Sequence, residues 1–189
     1  GTFKVVDNMV MSSTTTCAGA VVIPANVTEF YGGSFQRSQV TSVTFEAGSK
    51  LKKMQGGVFY DTPLESIVLP NGMETMDYVV FEYSQLKHIT IPGTMKSMGG
   101  ADFRNTPLET VVFESRTAPS LFMGGDMFDE TPNLKSVTFK GPKQLQLNTF
   151  DSADSEYFNW LGWSTTEGGT VVSFPLANTN PGDLTLYPK

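Results

Sequence analysis

His88 is the only histidine in this chain and Cys17 the only cysteine, so the residues that most often carry chemistry are almost absent. One cysteine excludes an intrachain disulfide, and the two counts together exclude Cys-rich zinc sites and paired-histidine metal motifs. The acidic run "DSADSE" brings Asp151, Asp154 and Glu156 together and could meet a hard cation such as Ca²⁺. It lacks the alternating Asp/Asn spacing and central glycine of a dedicated calcium loop, so a solvated loop fits it better. Asp126, Asp129 and Glu130 take the same reading. Ser38, Thr62, Ser84, Thr106 and Thr131 recur at one position of a repeat, but a hydroxyl nucleophile needs a base beside it, and His88 falls elsewhere in the period. Their better use is to bond backbone groups where the chain turns inward. No catalytic, metal or cofactor site is expected.

The elements that must position these residues declare themselves as a repeat. "DTPLESIVLP" (61–70) returns as "NTPLETVVFE" (105–114) and, one residue longer, as "ETPNLKSVTFK" (130–140). Anchored on Phe35, Phe59, Phe81, Phe103 and Phe128, successive spacings are 24, 22, 22 and 25 residues. Behind each anchor stands Val40, Leu64, Leu86, Leu108 or Leu134. The pairs Val43/Phe45, Ile67/Leu69, Ile89/Ile91, Val111/Phe113 and Val137/Phe139 follow. Apolar-x-apolar is strand periodicity, because alternate side chains share one face. A single such strand cannot bury its inner face; parallel copies about 4.8 Å apart make one continuous core. A half-unit, "VVIPANVTEF", precedes the first full one.

Val27/Phe30, Leu51/Met54, Met73/Met76, Met95/Met98 and Leu121/Met123 should line the opposite wall, where flexible Met fills turns of unequal length. Thr41, Glu65, Lys87, Glu109 and Lys135 form a column of alternating sign that sets register. The pairs Gly32-Gly33, Gly56-Gly57, Gly99-Gly100 and Gly124-Gly125 recur ahead of the anchors and read as tight turns with positive φ rather than a phosphate loop. The outward strand positions remain. Ser42, Ser66, His88, Thr110 and Ser136 make one column, and Thr44, Val68, Thr90, Val112 and Thr138 the next. This shallow face of hydroxyls and β-branched groups offers no acid–base–nucleophile set and suits protein recognition. Tyr60 and Tyr83 fall in loops of adjacent repeats, where they could stack on a sugar or pack over the core.

Hydrophobic residues at 39% and charged residues at 17% describe an ordered chain, and a net charge of −6 argues against a nucleic-acid partner. No apolar run is long enough to span a bilayer. The chain opens with Gly1 rather than Met, as a trimmed sequence would, so a missing leader is uninformative.

"VIPANVTEFYGGSFQRSQVTSVTF" and "IPGTMKSMGGADFRNTPLETVVF" resemble the BspA-like, or Treponema pallidum type, leucine-rich repeats, over about three-quarters of the chain from Phe3 to Lys143. Ser or Thr stands where that pattern usually has Cys or Asn. The end of the chain resembles the second half of a Listeria–Bacteroides repeat, a β-grasp-like module of bacterial surface proteins. The matching residues are Phe158, Trp160, Gly162 and Trp163, then Glu167-Gly168-Gly169-Thr170, then Leu184-Thr185-Leu186-Tyr187. The resemblances imply a right-handed, mainly β leucine-rich-repeat solenoid with short turns or 3-10 segments between strands and a β-rich C-terminal cap. The expected division is 1–143 for the solenoid, with an N-terminal β cap over 1–22 and about five repeats from 23, and 144–189 for the cap, with Trp160 and Trp163 in its core. They further imply a non-enzymatic secreted or cell-surface bacterial protein that binds a host or neighbouring-cell surface protein. A glycan-binding module and a structural spacer are the alternatives.

Overall fold

The computed structural model describes residues 2–118, 121–141, 146–147, 163–170, 172, 176–177 and 182–189. The chain begins with β1 (Phe3–Val6), β2 (Met9–Ser13) and β3 (Ala18–Ile23). Very short and longer strands then alternate: β4 (Glu29–Phe30) and β5 (Gln39–Phe45), β6 (Lys53–Met54) and β7 (Ser66–Val68), β8 (Thr75–Met76) and β9 (His88–Ile91). The series continues with β10 (Ser97–Met98) and β11 (Thr110–Phe113), then β12 (Phe122–Met123) and β13 (Ser136–Phe139). β14 (Gln146–Leu147), β15 (Trp163–Ser164), β16 (Leu176–Ala177) and β17 (Leu184–Pro188) follow. The result is a β solenoid, with no helix among the described residues.

Each coil contributes one strand to each of two walls. The longer strands carry the repeated apolar-x-apolar pairs. They stack parallel in the order β7-β9-β11-β13, with Ile67, Ile89, Val111 and Val137 in one register. The opposite wall is a second sheet, β1-β2-β4-β6-β8-β10-β12, in which Phe30, Met54, Met76, Met98 and Met123 align. Strands of two residues are too short for periodicity to reveal, so the sequence shows this wall only as apolar positions and turns. At the C-terminal end β17 lies antiparallel on β13 and β15 on β17, which covers the edge that β13 would otherwise expose.

The anchor phenylalanines run through the core as a ladder. Phe35, Phe59, Phe81, Phe103 and Phe128 stack ring on ring, with centroids 5.5, 5.6, 6.0 and 5.8 Å apart and interplanar angles between 10° and 17°. Offset pairs of this kind add about 0.5–1.5 kcal/mol each beyond area burial. The ladder ends on rings turned across it: Phe3 at 60° to Phe35 and Trp163 at 74° to Phe128. Trp163 is buried. Trp160 lies outside the described residues, as does the Asp151, Asp154 and Glu156 loop.

Two backbone columns flank each anchor. Gly33, Gly57, Val79, Ala101 and Asp126, each two residues before a phenylalanine, all have φ between 53° and 68°. Arg37, Asp61, Tyr83, Asn105 and Glu130, each two residues after, lie between 52° and 60°. The glycine pairs therefore divide, which corrects the single role expected of them. Gly33 and Gly57 supply positive φ. In the later coils the pair sits one residue earlier relative to the anchor, and the left-handed positions fall to Ala101 and Asp126. There the glycines allow close approach: a Cβ at Gly99 would stand 2.2 Å from the Asp77 carbonyl oxygen, and one at Gly124 would stand 2.5 Å from the Gly100 nitrogen.

The strand wall has one break. β5 pairs with β3, but no ladder joins β5 to β7, so the expected single sheet is two. Two local features coincide there. Residues 46–50 separate Phe45 from Leu51, whereas three residues separate Leu69 from Met73 and Ile91 from Met95. Pro70 also occupies the column in which Glu46, Glu114 and Lys140 donate an N–H to the preceding strand, and proline has none to give. Pro92 shares that column while β9 stays paired to β7, so the proline alone does not open the sheet.

Candidate protein-binding face

The outward columns read from the sequence are real columns in space. Ser66, His88, Thr110 and Ser136 are register partners, and so are Val68, Thr90, Val112 and Thr138. Ser42 and Thr44 point outward from β5 but belong to the separate β3–β5 pair, across the break. One further residue, unforeseen, extends the face: Thr185 of β17 pairs with Thr138, their hydroxyl oxygens 3.0 Å apart. Its only signal in the sequence was a Leu-Thr-Leu alternation.

The face is chemically quiet. His88 Nδ1 lies 2.8 Å from the Thr110 hydroxyl, and no carboxylate hydrogen-bonds the imidazole among the described residues. A histidine without a base partner or nucleophile carries no acid–base relay. The hydroxyl column is equally closed to catalysis. Thr62, Thr106 and Thr131 are buried and donate back to the carbonyls of Phe59, Phe103 and Phe128 at 2.9, 2.6 and 2.5 Å. They cap the turns after Phe59, Phe103 and Phe128, as expected of them, whereas Ser84 Oγ accepts the Leu86 N–H at 3.4 Å and the buried Ser38 Oγ has no hydrogen-bond partner among the described residues. Asp126, Asp129 and Glu130 form no metal-binding cluster among the described residues, and burial raises the Asp129 carboxyl above its ordinary value.

Beside the face runs the charge column. Lys87 Nζ stands 3.2 Å from Glu65 Oε2, and Lys135 Nζ 2.5 Å from Glu109 Oε2. The hydrogen bond from Lys135 is the main reason the Glu109 carboxyl lies below its usual range. A second ladder, which the sequence reading missed, crosses the other wall, where Glu74 Oε1 meets Lys52 at 3.2 Å and its Oε2 meets Lys96 at 2.6 Å. Its signal was the same alternation, Lys-Glu-Lys at 22-residue intervals.

Between β5 and β7 the face opens into a cleft of about 650 Å³. Ser42, Thr44 and Glu46 form one side and Ser66, Val68 and Pro70 the other. Glu46 Oε2 accepts the Ala25 N–H at 3.0 Å, and Val68 is 68% exposed. Tyr60 and Tyr83 do meet across adjacent coils, but edge to face: their centroids are 5.5 Å apart with planes at 72°. The Arg37 guanidinium sits 6.0 Å from the Tyr60 centroid. Crossed rings do not form a flat platform for a sugar.

Residues 13–121 match the BspA type leucine-rich-repeat region, in six copies. The chain belongs to the BspA-type leucine-rich-repeat family. The matched residues hold the anchors Phe35, Phe59, Phe81 and Phe103, and the coil of Phe128 lies beyond them. Solved structures of low identity also resemble it. The chain is similar to the pneumococcal vaccine antigen PcpA, at 14% identity over 71% of this chain and 51% of that one, with a TM-score of 0.39. It is similar to a leucine-rich-repeat protein from Eubacterium ventriosum, at 14% identity over 64% of this chain and 54% of that one, with a TM-score of 0.38. The chain thus spans about half the length of the solved chains it matches. No curated protein matches it. The BspA-type match ends at residue 121, so it does not extend to the segment that resembles a Listeria–Bacteroides repeat.

Proposed function

We propose that this BspA-type repeat protein is a non-enzymatic binding module, which recognises another protein through the outward face of its longer strands. Membership of a repeat family supports the reading. The observation that carries it is the face itself, in register from Ser66 to Thr138, flat, hydroxyl-rich and without catalytic geometry. Such a surface matches the polar, adaptable contacts that protein recognition uses. The site comprises Ser42, Thr44, Ser66, Val68, His88, Thr90, Thr110, Val112, Ser136 and Thr138. The partner class is a host or neighbouring-cell surface protein, and the setting is a secreted or surface-attached bacterial protein, as the resemblance of both segments implies. On this reading residues 144–189 act as the cap that ends the stack.

The experiment is an array of purified host-surface and matrix proteins, run beside a glycan array, with the wild type and with Ser66→Glu, His88→Glu and Thr110→Glu. A protein ligand lost in all three variants supports the face. Binding that survives all three but disappears in Tyr60→Ala and Tyr83→Ala would overturn it in favour of a glycan site.

A further inference from the structure

The cleft between β5 and β7 has a composition unlike the rest of the face. In a parallel ladder alternate residues turn their peptide groups to opposite sides. The Glu46 N–H bonds the Ile23 carbonyl and the Leu69 N–H bonds the Thr90 carbonyl. The peptide groups of Val43 and Phe45 must therefore face β7, and those of Ser66 and Val68 must face β5. No ladder pairing takes them up. Hydroxyls at Ser42, Thr44 and Ser66 add oxygens to the same walls, and Glu46 is the only charged residue lining the cleft among the described residues. One Glu46 oxygen holds the Ala25 N–H, which fixes the carboxylate and leaves the other oxygen for a ligand. Among the described residues no lysine or arginine lines the space. Lys52, in the coil between, spends its ammonium on the Gly72 carbonyl at 3.0 Å and on Glu74 at 3.2 Å.

Carbonyl oxygens, hydroxyls and one anchored carboxylate, beside the exposed isopropyl group of Val68 and the ring of Pro70, complement a cation on an aliphatic stem. We infer that the cleft is an anchor pocket for a lysine or arginine side chain presented by an extended segment of a partner protein. A volume of about 650 Å³ falls within the usual range for ligand pockets and exceeds one side chain, leaving room for the flanking peptide. The inference rests on the protein-binding reading of the face and narrows it to one chemistry at one end.

The test is an amide NMR titration of the full chain with the blocked pentapeptides Gly-Gly-Arg-Gly-Gly, Gly-Gly-Lys-Gly-Gly and Gly-Gly-Glu-Gly-Gly, and with N-acetylglucosamine. Saturable shifts confined to Val43, Thr44, Phe45, Ser66 and Val68, seen with the basic peptides alone, are expected. Glu46→Gln, which keeps an acceptor for Ala25, should weaken them roughly three- to tenfold, in line with the loss of one charge-assisted bond. Val68→Lys, at an exposed position, should abolish them. Equal shifts with the Glu peptide, saturation by the sugar, shifts spread along His88 and Thr110, or an unchanged Glu46→Gln would each overturn the pocket. If the pocket fails while Ser66→Glu, His88→Glu and Thr110→Glu still lose a protein ligand, the face stands without it.

Discussion

Arg104 reaches back one coil and places both Nε and Nη2 2.6 Å from the same oxygen, Oε1 of Glu82. The two partners are not equally covered. The Glu82 side chain is 5% exposed and that of Arg104 35%. The hydrogen bond to Glu82 is also the main reason the guanidinium pKa is raised. This pair joins neighbouring coils beside the phenylalanine ladder, where a buried carboxylate has no access to water.

The asymmetry predicts unequal single-mutant costs. Arg104→Ala strands a buried carboxylate and should cost about 3–5 kcal/mol, the usual penalty for breaking a buried pair from one side. Glu82→Ala leaves a cation that can turn to solvent, so its cost should be clearly smaller. Urea denaturation of both variants and the double mutant decides the matter. Equal costs, or the reverse order, would show that Glu82 is not the desolvated partner.

Asp102 supplies a pH dependence. Its side chain is fully buried, Oδ1 accepts the Val80 N–H at 3.0 Å, and Oδ2 has no hydrogen-bond partner. Burial is the main cause of a carboxyl pKa raised well above the ordinary 3.8, and the nearby Asp77 adds to it. In the window between the ordinary and the raised value, the folded state holds more protons than the unfolded one. Stability therefore falls as pH rises through that window and is recovered on acidification. Asp102→Asn keeps the acceptor for Val80 and cannot ionise. It should match the wild type near pH 3.5 and exceed it at pH 8 by about 1–3 kcal/mol, the range for a buried polar group left unsatisfied. Parallel thermal melts across that range suffice; curves that stay parallel would place Asp102 among ordinary carboxylates.

Val79 is a β-branched residue at φ 53°, in a column where two earlier coils use glycine. The left-handed conformation costs a non-glycine residue about 1–2 kcal/mol, and glycine loses about 0.5–1 kcal/mol of that gain through its freer unfolded chain. Val79→Gly should therefore stabilise the protein by about 0.5–1 kcal/mol. Gly57→Val should destabilise it, through the backbone alone, because the nearest atom to a Cβ there is 3.9 Å away. Midpoints of chemical denaturation for the two variants should move in opposite directions. A destabilising Val79→Gly would mean that packing of the half-buried side chain outweighs the strain.

What the residues announced and what they concealed follow from one distinction. A position that every coil buries in the same way repeats its residue type, so Phe35 to Phe128 and the paired apolar positions were legible at once. The outward columns followed, because strand alternation fixes Ser66, His88 and Thr110 once Ile67, Ile89 and Val111 face inward. Features that belong to one coil carry no such echo. Asp102 stands in a buried column otherwise held by Ser34, Val58, Val80 and Met127, where an aspartate reads as surface. The break beside β5 coincides with a longer turn and a proline, neither of which opens the sheet elsewhere, between Phe113 and Leu121 or at Pro92. The left-handed column at Arg37, Asp61, Tyr83, Asn105 and Glu130 is set by the path of the chain, and these side chains share no chemistry that would mark it.

The ladder itself can be read ring by ring. In a stack of repeats each unit contacts only its neighbours, so damage should stay local. Phe81 lies between Phe59 and Phe103, and Phe81→Ala should cost about 3–5 kcal/mol with fast amide exchange spreading into both adjoining coils. Trp163 packs against Phe128 at the C-terminal end of the ladder. Trp163→Ala should speed exchange at Val137 and Phe139, under β17, and leave the Phe35 and Phe59 coils as protected as before. Amide hydrogen exchange resolves the two patterns directly. Uniform loss of protection in both variants would show that the coils unfold as one unit and that the ladder has no separable ends.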